Sequence, residues 1–131
     1  MKSRDALIRL KRFQVEERRR RVAQIETMIA EFTRMASDLD REIAAEETRA
    51  GINDPSHFAY PTYARAARTR RDNLKHSVGE LHGQVAEAKG FLEIAQEELT
   101  KVQSLDGREK ANETPRERPD MAMHGMRLAR A

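Results

Sequence analysis

The sequence predicts an all-α protein: two long helices forming an antiparallel coiled-coil hairpin, followed by a flexible C-terminal tail. Three observations carry this. The 131 residues are 36% charged and 5% aromatic, with a mean hydropathy of −0.84, too little apolar material for a multilayer core. Such profiles belong to disordered chains or to long helices with a narrow apolar seam. A sustained seven-residue apolar repeat selects the second class, and one cluster of helix breakers divides the repeat into two arms.

The first helix is expected over about residues 3–50. One series of seven-residue steps reads Ile8, Val15, Val22, Ile29, Ala36 and Ile43. A second, three residues later, reads Lys11, Arg18, Ile25, Phe32, Leu39 and Glu46. These are the a and d positions of a heptad, apolar at every member from Val22 to Ile43. Ser3 suits the start, with Asp5 in the positive first turn. Gly51 can take the left-handed conformation that closes a helix after Ala50.

The connection, residues 51–61, holds Gly51, Asn53-Asp54-Pro55 and Pro61, which cannot all sit inside one straight helix. Asp54 before Pro55 can cap a single short turn. The second helix is expected over about 62–105, with Pro61 suited to a first turn because its missing N–H needs no partner there. Val78, Val85, Leu92 and Leu99 form one series; Leu74, Leu81, Ala88, Ala95 and Val102 form the other. On this pattern the seam ends by about Arg71. Leu105-Asp106-Gly107 supplies the expected stop, and Pro115 ends any extension. Residues 106–131 have a looser composition, expected to be a tail in which MAMHGMRLARA could form a short amphipathic turn.

A reversal near residue 57 sets Leu39 against Leu74, Phe32 against Leu81, Ile25 against Ala88 and Val15 against Leu99. It also places Arg18-Arg19-Arg20-Arg21 opposite Glu93, Glu97 and Glu98. Gly79, Gly83 and Gly90 fall on outer positions of the second helix, each costing about 1 kcal/mol relative to Ala.

No motif for chemistry emerges. The chain has no phosphate-binding glycine loop, nucleophile elbow or zinc-binding helix motif. It has no cysteine, and its four histidines lack metal-ligand spacing. The paired carboxylates Glu16-Glu17, Glu46-Glu47 and Glu97-Glu98 lie on exposed helix surface, without a cleft to raise a carboxyl pKa. The expectation is a protein that is not an enzyme and needs no cofactor or metal. The N-terminus lacks a secretory signal pattern, and no stretch approaches the roughly 20 apolar residues of a membrane span; a cytoplasmic location is expected.

Net charge is +3, not the footprint of a dedicated nucleic-acid binder. Residues 1–21 nevertheless carry nine basic side chains against Asp5, Glu16 and Glu17. This segment is read as a contact for an acidic protein surface, as a nucleic-acid contact, or as a solvated face paired with the Glu-rich end of the second helix. Stacking aromatics would favour nucleic acid, and only Phe13 is present there. The stretch HFAYPTY holds Phe58, Tyr60 and Tyr63, half of the six aromatics. Two readings stay open: a small cap in which Phe58, Tyr60 and Ile52 fold over the hairpin end, with Phe58 the better candidate, and a docking patch, with Tyr63 the better candidate.

Over residues 1–105 this layout resembles the FliJ family of flagellar type III export proteins. The opening ALIRLKRFQVEE is similar to the family's Ala-Leu-x-x-Leu entry into a charged helix. Tyr60-x-x-Tyr63 resembles its aromatic pair at the start of the second helix. The resemblance implies a non-enzymatic cytoplasmic stalk at the inner-membrane face of the flagellar base. It would insert its terminal end into the hexameric export ATPase, contact the cytoplasmic region of the export gate and engage export chaperones, meeting the membrane only through that apparatus. By this likeness the gate contact maps to Tyr60, Tyr63, Ala67, Arg70 and Leu74, and the ATPase contact to Arg12, Arg18, Arg19, Arg20 and Arg21. Ala67 and Arg70 depart from the family pattern, where a larger apolar and a small residue stand. The alternatives are a coiled-coil adaptor acting by self-association and a small basic nucleic-acid-binding protein.

Overall fold

The structure, a computed structural model, describes the backbone of residues 2–130 and the side chains of residues 3–111. Two helices make up the fold, α1 over Lys2–Ala50 and α2 over Thr62–Arg130. They pack against each other as an antiparallel coiled-coil hairpin, with no strand among the described residues. Packing divides the chain into two compact units. One is Arg18–Phe91, which contains the connection; the other joins Met1–Glu17 to Leu92–Ala131.

In the connection unit the heptad places Val22, Ile25, Ala36, Leu39 and Ile43 of α1 in the buried seam. The α2 side supplies Ala64, Ala67, Leu81, Val85 and Ala88. Leu39, Ile43 and Ala67 form one buried cluster, and Leu74 packs against it, as the expected pairing of Leu39 with Leu74 requires. Ile25 and Ala88 line one cleft, a large residue beside a small one. The seam does not end at Arg71. It continues through Ala67 and Ala64 to Tyr60, all buried at alternating three- and four-residue steps. Arg71 occupies a seam position without breaking it, because its guanidinium reaches out to Asp40 at 3.0 Å and Asp72 at 3.0 Å.

In the unit of both chain ends, Val15 and Ala95 are buried, with Ile8, Leu92, Leu99 and Val102 half-buried around them. Lys11, at a seam position, reaches Glu98 at 3.0 Å. Glu98, one of the three glutamates expected opposite the arginine run, thus has Lys11 as a partner. The expected stop at Leu105-Asp106-Gly107 does not occur. Asp106 and Glu109 prolong the heptad as half-buried positions. Arg4 ties this stretch to α1, contacting Glu109 at 2.7 Å and donating to the Leu105 carbonyl at 3.4 Å. Gly107 lowers helix propensity but ends a helix only where it turns left-handed, and Gly51 is the glycine with positive φ among the described residues. The remainder of the expected tail, residues 112–131, lies outside the described side chains.

Both helix ends at the connection follow from local chemistry. After Ala50, Gly51 takes φ 70°. The Ile52 N–H then bonds to the Glu47 carbonyl at 3.2 Å and the Gly51 N–H to Thr48 at 3.3 Å, the paired bonds of a Schellman ending. The Pro61 carbonyl accepts the Arg65 N–H at 3.0 Å, so Pro61 caps α2 from just outside it.

Candidate functional site

The connection is an ordered turn. The Asp54 carboxylate accepts from the Ser56 N–H at 3.0 Å and the Ser56 hydroxyl at 2.8 Å, and the Ser56 backbone bond holds its pKa below the usual value. The His57 N–H bonds to the Asp54 carbonyl and the Tyr60 N–H to the His57 carbonyl, each at 3.0 Å. Arg65 reaches back from α2 to donate to the Pro55 carbonyl at 2.9 Å, with its guanidinium 5.4 Å from the Tyr60 ring centre. Aspartate two residues before a free N–H makes this local turn without tertiary help.

The three aromatics of this segment have three different fates. Tyr60 is 4% exposed and closes the seam, its hydroxyl donating to the Glu47 carboxylate at 2.6 Å. Burial first, then Glu47, pushes the phenol above its ordinary pKa. Tyr63 is 50% exposed on the flank of α2 and donates to Glu42 at 2.9 Å, which raises its pKa likewise. Phe58 is 95% exposed and touches the hairpin end hardly at all, stacking on His57 with ring centres 4.8 Å apart. The cap is therefore Tyr60, with Ile52 half-buried nearby in the sequence turn, and not Phe58. The reason is periodicity: Tyr60 stands four residues before Ala64 in the seam row, whereas Phe58 belongs to the turn.

The five residues mapped to a gate contact separate in the same way. Tyr60, Ala67 and Leu74 are seven apart and face α1, so Tyr60 and Ala67 are buried and Leu74 half-buried. Tyr63 and Arg70, also seven apart, are exposed along the flank. The five do not form one solvent-facing patch; a contact made from outside meets Tyr63 and Arg70.

The basic residues are distributed over both units. Arg12 belongs to the unit of the chain ends and Arg18, Arg19, Arg20 and Arg21 to the connection unit, all exposed. Arg19 and Arg20 have interactions of their own. Arg18 lies over the Phe91 ring, 4.9 Å from its centre, a cation–π contact that the sequence pattern did not suggest. Arg18, Arg21 and Phe91 border a cleft of about 250 Å³ floored by Ile25 and Ala88. The signal available in advance was the pairing of Ile25 with Ala88, which leaves room beside the alanine.

Among the described residues there is no cluster of three or more His, Asp or Glu placed to hold a metal ion, and no helix long and apolar enough to cross a membrane. Fold and site together define a two-helix coiled-coil hairpin whose chemistry is presented on its surface. Comparison with protein-family models, curated proteins and solved structures finds no match to the chain.

Proposed function

We propose that the protein is a FliJ-like stalk, a non-enzymatic coupling element between the flagellar export ATPase and the export gate, acting in the cytoplasm at the inner-membrane face of the flagellar base. The observation that supports this reading best is a heptad seam carried to Tyr60, with Tyr63 held by Glu42 on the outer flank in the first turn of α2. A hairpin with a single seam and shallow surface clefts works by presenting surfaces, and an anchored tyrosine is a rigid contact with little rotamer entropy to lose. The arginine-rich stretch of α1 offers the complementary electrostatic contact for the ATPase ring.

The test is reconstitution with the export ATPase and the cytoplasmic domain of the gate. The chain is expected to raise ATP hydrolysis. Charge reversal at Arg19, Arg20 and Arg21 should weaken that stimulation while helicity is retained, and an unchanged rate rejects the basic stretch as the contact. Tyr63→Ala should lose gate binding with little change in melting. Absence of both stimulation and gate binding by the native chain rejects the stalk reading.

A further inference from the structure

The seam leaves two flanks, and in the Arg18–Phe91 unit they differ in chemistry. With the seam at a and d, the g and e rows border it on opposite sides. Antiparallel pairing sets e beside e and g beside g. The contacts follow this rule: Arg68–Glu47 at 3.9 Å and Lys89–Glu26 at 3.7 Å join the e rows, and Tyr63–Glu42 joins the g rows.

The e flank of this unit is polar throughout, from Glu26, Thr33 and Asp40 on α1 to Lys75, His82 and Lys89 on α2. The g flank is not. Met28, Met35, Tyr63 and Phe91 all stand on g positions, 39 to 50% exposed. Apart from Phe58 in the connection, they are all of the large exposed apolar side chains among the described residues of this unit. Four scattered apolar residues would need no explanation, but four on one flank make an amphipathic face.

Size and charge along that face identify its occupant. Ion pairs Arg71–Asp40 and Lys89–Glu26 fix the levels of the two helices. Counting along the helices from these pairs puts Met35 level with Ser77, Met28 with Gln84 and Glu42, which also accepts from Tyr63, with Arg70. At these three levels a bulky or acidic g residue of α1 matches a smaller or basic one of α2, and at the two ends of the flank Arg21 and Arg49 of α1 are level with Phe91 and Tyr63 of α2. A two-fold axis parallel to the helices would lay α1 of one copy over α2 of another. Met35 would then pack over Ser77 of the second copy, and Glu42 over its Arg70. The other two-fold, which stacks like helices, sets methionine on methionine and Ser77 on Gln84, a poorer match of size, and there the charge pair would be Arg21 with Glu42, leaving Arg70 over Phe91.

We propose that the g flank of the connection unit is a self-association surface, through which two copies form an antiparallel four-helix bundle. Methionine suits such a surface, since its flexible thioether fills irregular gaps. The proposal is independent of the stalk reading and needs no export component. Because the face includes Tyr63 and Arg70, self-association and an outside contact at those residues would exclude each other.

The experiment is sedimentation equilibrium on the full chain, with circular dichroism to verify helicity. Native protein is expected to show a concentration-dependent monomer–dimer equilibrium. Met28→Glu with Met35→Glu places unpaired charge in the interface and should weaken the dimer by at least roughly a hundredfold. Thr33→Glu on the e flank should leave it unchanged. Glu42→Arg and Arg70→Glu should each weaken self-association, and an equimolar mixture of these two variants should restore it as a heterodimer, since both cross-copy pairs regain opposite charge. A strictly monomeric native chain overturns the proposal. So does a dimer indifferent to the methionine changes, one disrupted by Thr33→Glu, or a mixture that stays monomeric.

Discussion

Two aromatic residues two positions apart, Phe58 and Tyr60, should respond very unequally to the same truncation. Tyr60 is buried at the end of the seam, and its hydroxyl bonds to the Glu47 carboxylate at 2.6 Å. Tyr60→Ala removes a buried ring, which in protein cores costs about 3–5 kcal/mol. The lower end applies here, because the site lies beside an exposed turn that can collapse inward. Tyr60→Phe keeps the ring and loses one hydrogen bond, about 1 kcal/mol; Glu47 retains Arg68 and solvent as partners. Phe58→Ala removes an almost fully exposed ring that stacks on His57 and should stay within about 0.5 kcal/mol of native. Urea unfolding followed by helical circular dichroism measures all three. With a urea dependence of about 1–3 kcal/mol per molar, Tyr60→Ala should lower the midpoint by roughly 1–3 M. If Phe58→Ala costs more than Tyr60→Ala, the end cap has been assigned to the wrong residue and the extended seam loses its support.

The outer glycines offer the opposite sign. A Cβ at Gly79, Gly83 or Gly90 meets nothing within 4 Å, so each Gly→Ala change should stabilise by about 0.5–1 kcal/mol through helix propensity, read as a raised urea midpoint. Gly51→Ala should instead destabilise by about 1 kcal/mol, since φ of 70° is strained for alanine even in open space. Alkaline unfolding should report Tyr60. Its folded pKa is raised above the ordinary value near 10, so its stabilisation is complete below pH about 10 and lost as pH rises through the folded value. Tyr60→Phe should flatten that alkaline decline, and an unaltered profile would refute the assignment.

Much of this fold was legible in order of residues alone. The seven-residue repeat located both helices, their pairing and the seam, because burial in a two-helix hairpin is dictated by one periodicity. Gly51 and Asp54 announced the helix end and the turn for equally local reasons. Reading the seam as ending at Arg71 missed its continuation because Arg71 is charged and Ala64 and Ala67 are small; none of the three looks like a core residue in isolation. The stop expected at Gly107 failed because Arg4, more than a hundred residues earlier in the chain, holds Leu105 and Glu109.

The sequence by itself determined the helical class, the heptad register and the closing of α1, since each depends on neighbours within a few turns. Only the tertiary structure decided which aromatic seals the hairpin, which presumed contact residues face solvent, and which flank carries the exposed methionines and Phe91. Those outcomes depend on how the two helices are rotated and levelled against each other. That alignment arises from side chains far apart in the chain, such as Arg71 with Asp40 and Lys89 with Glu26.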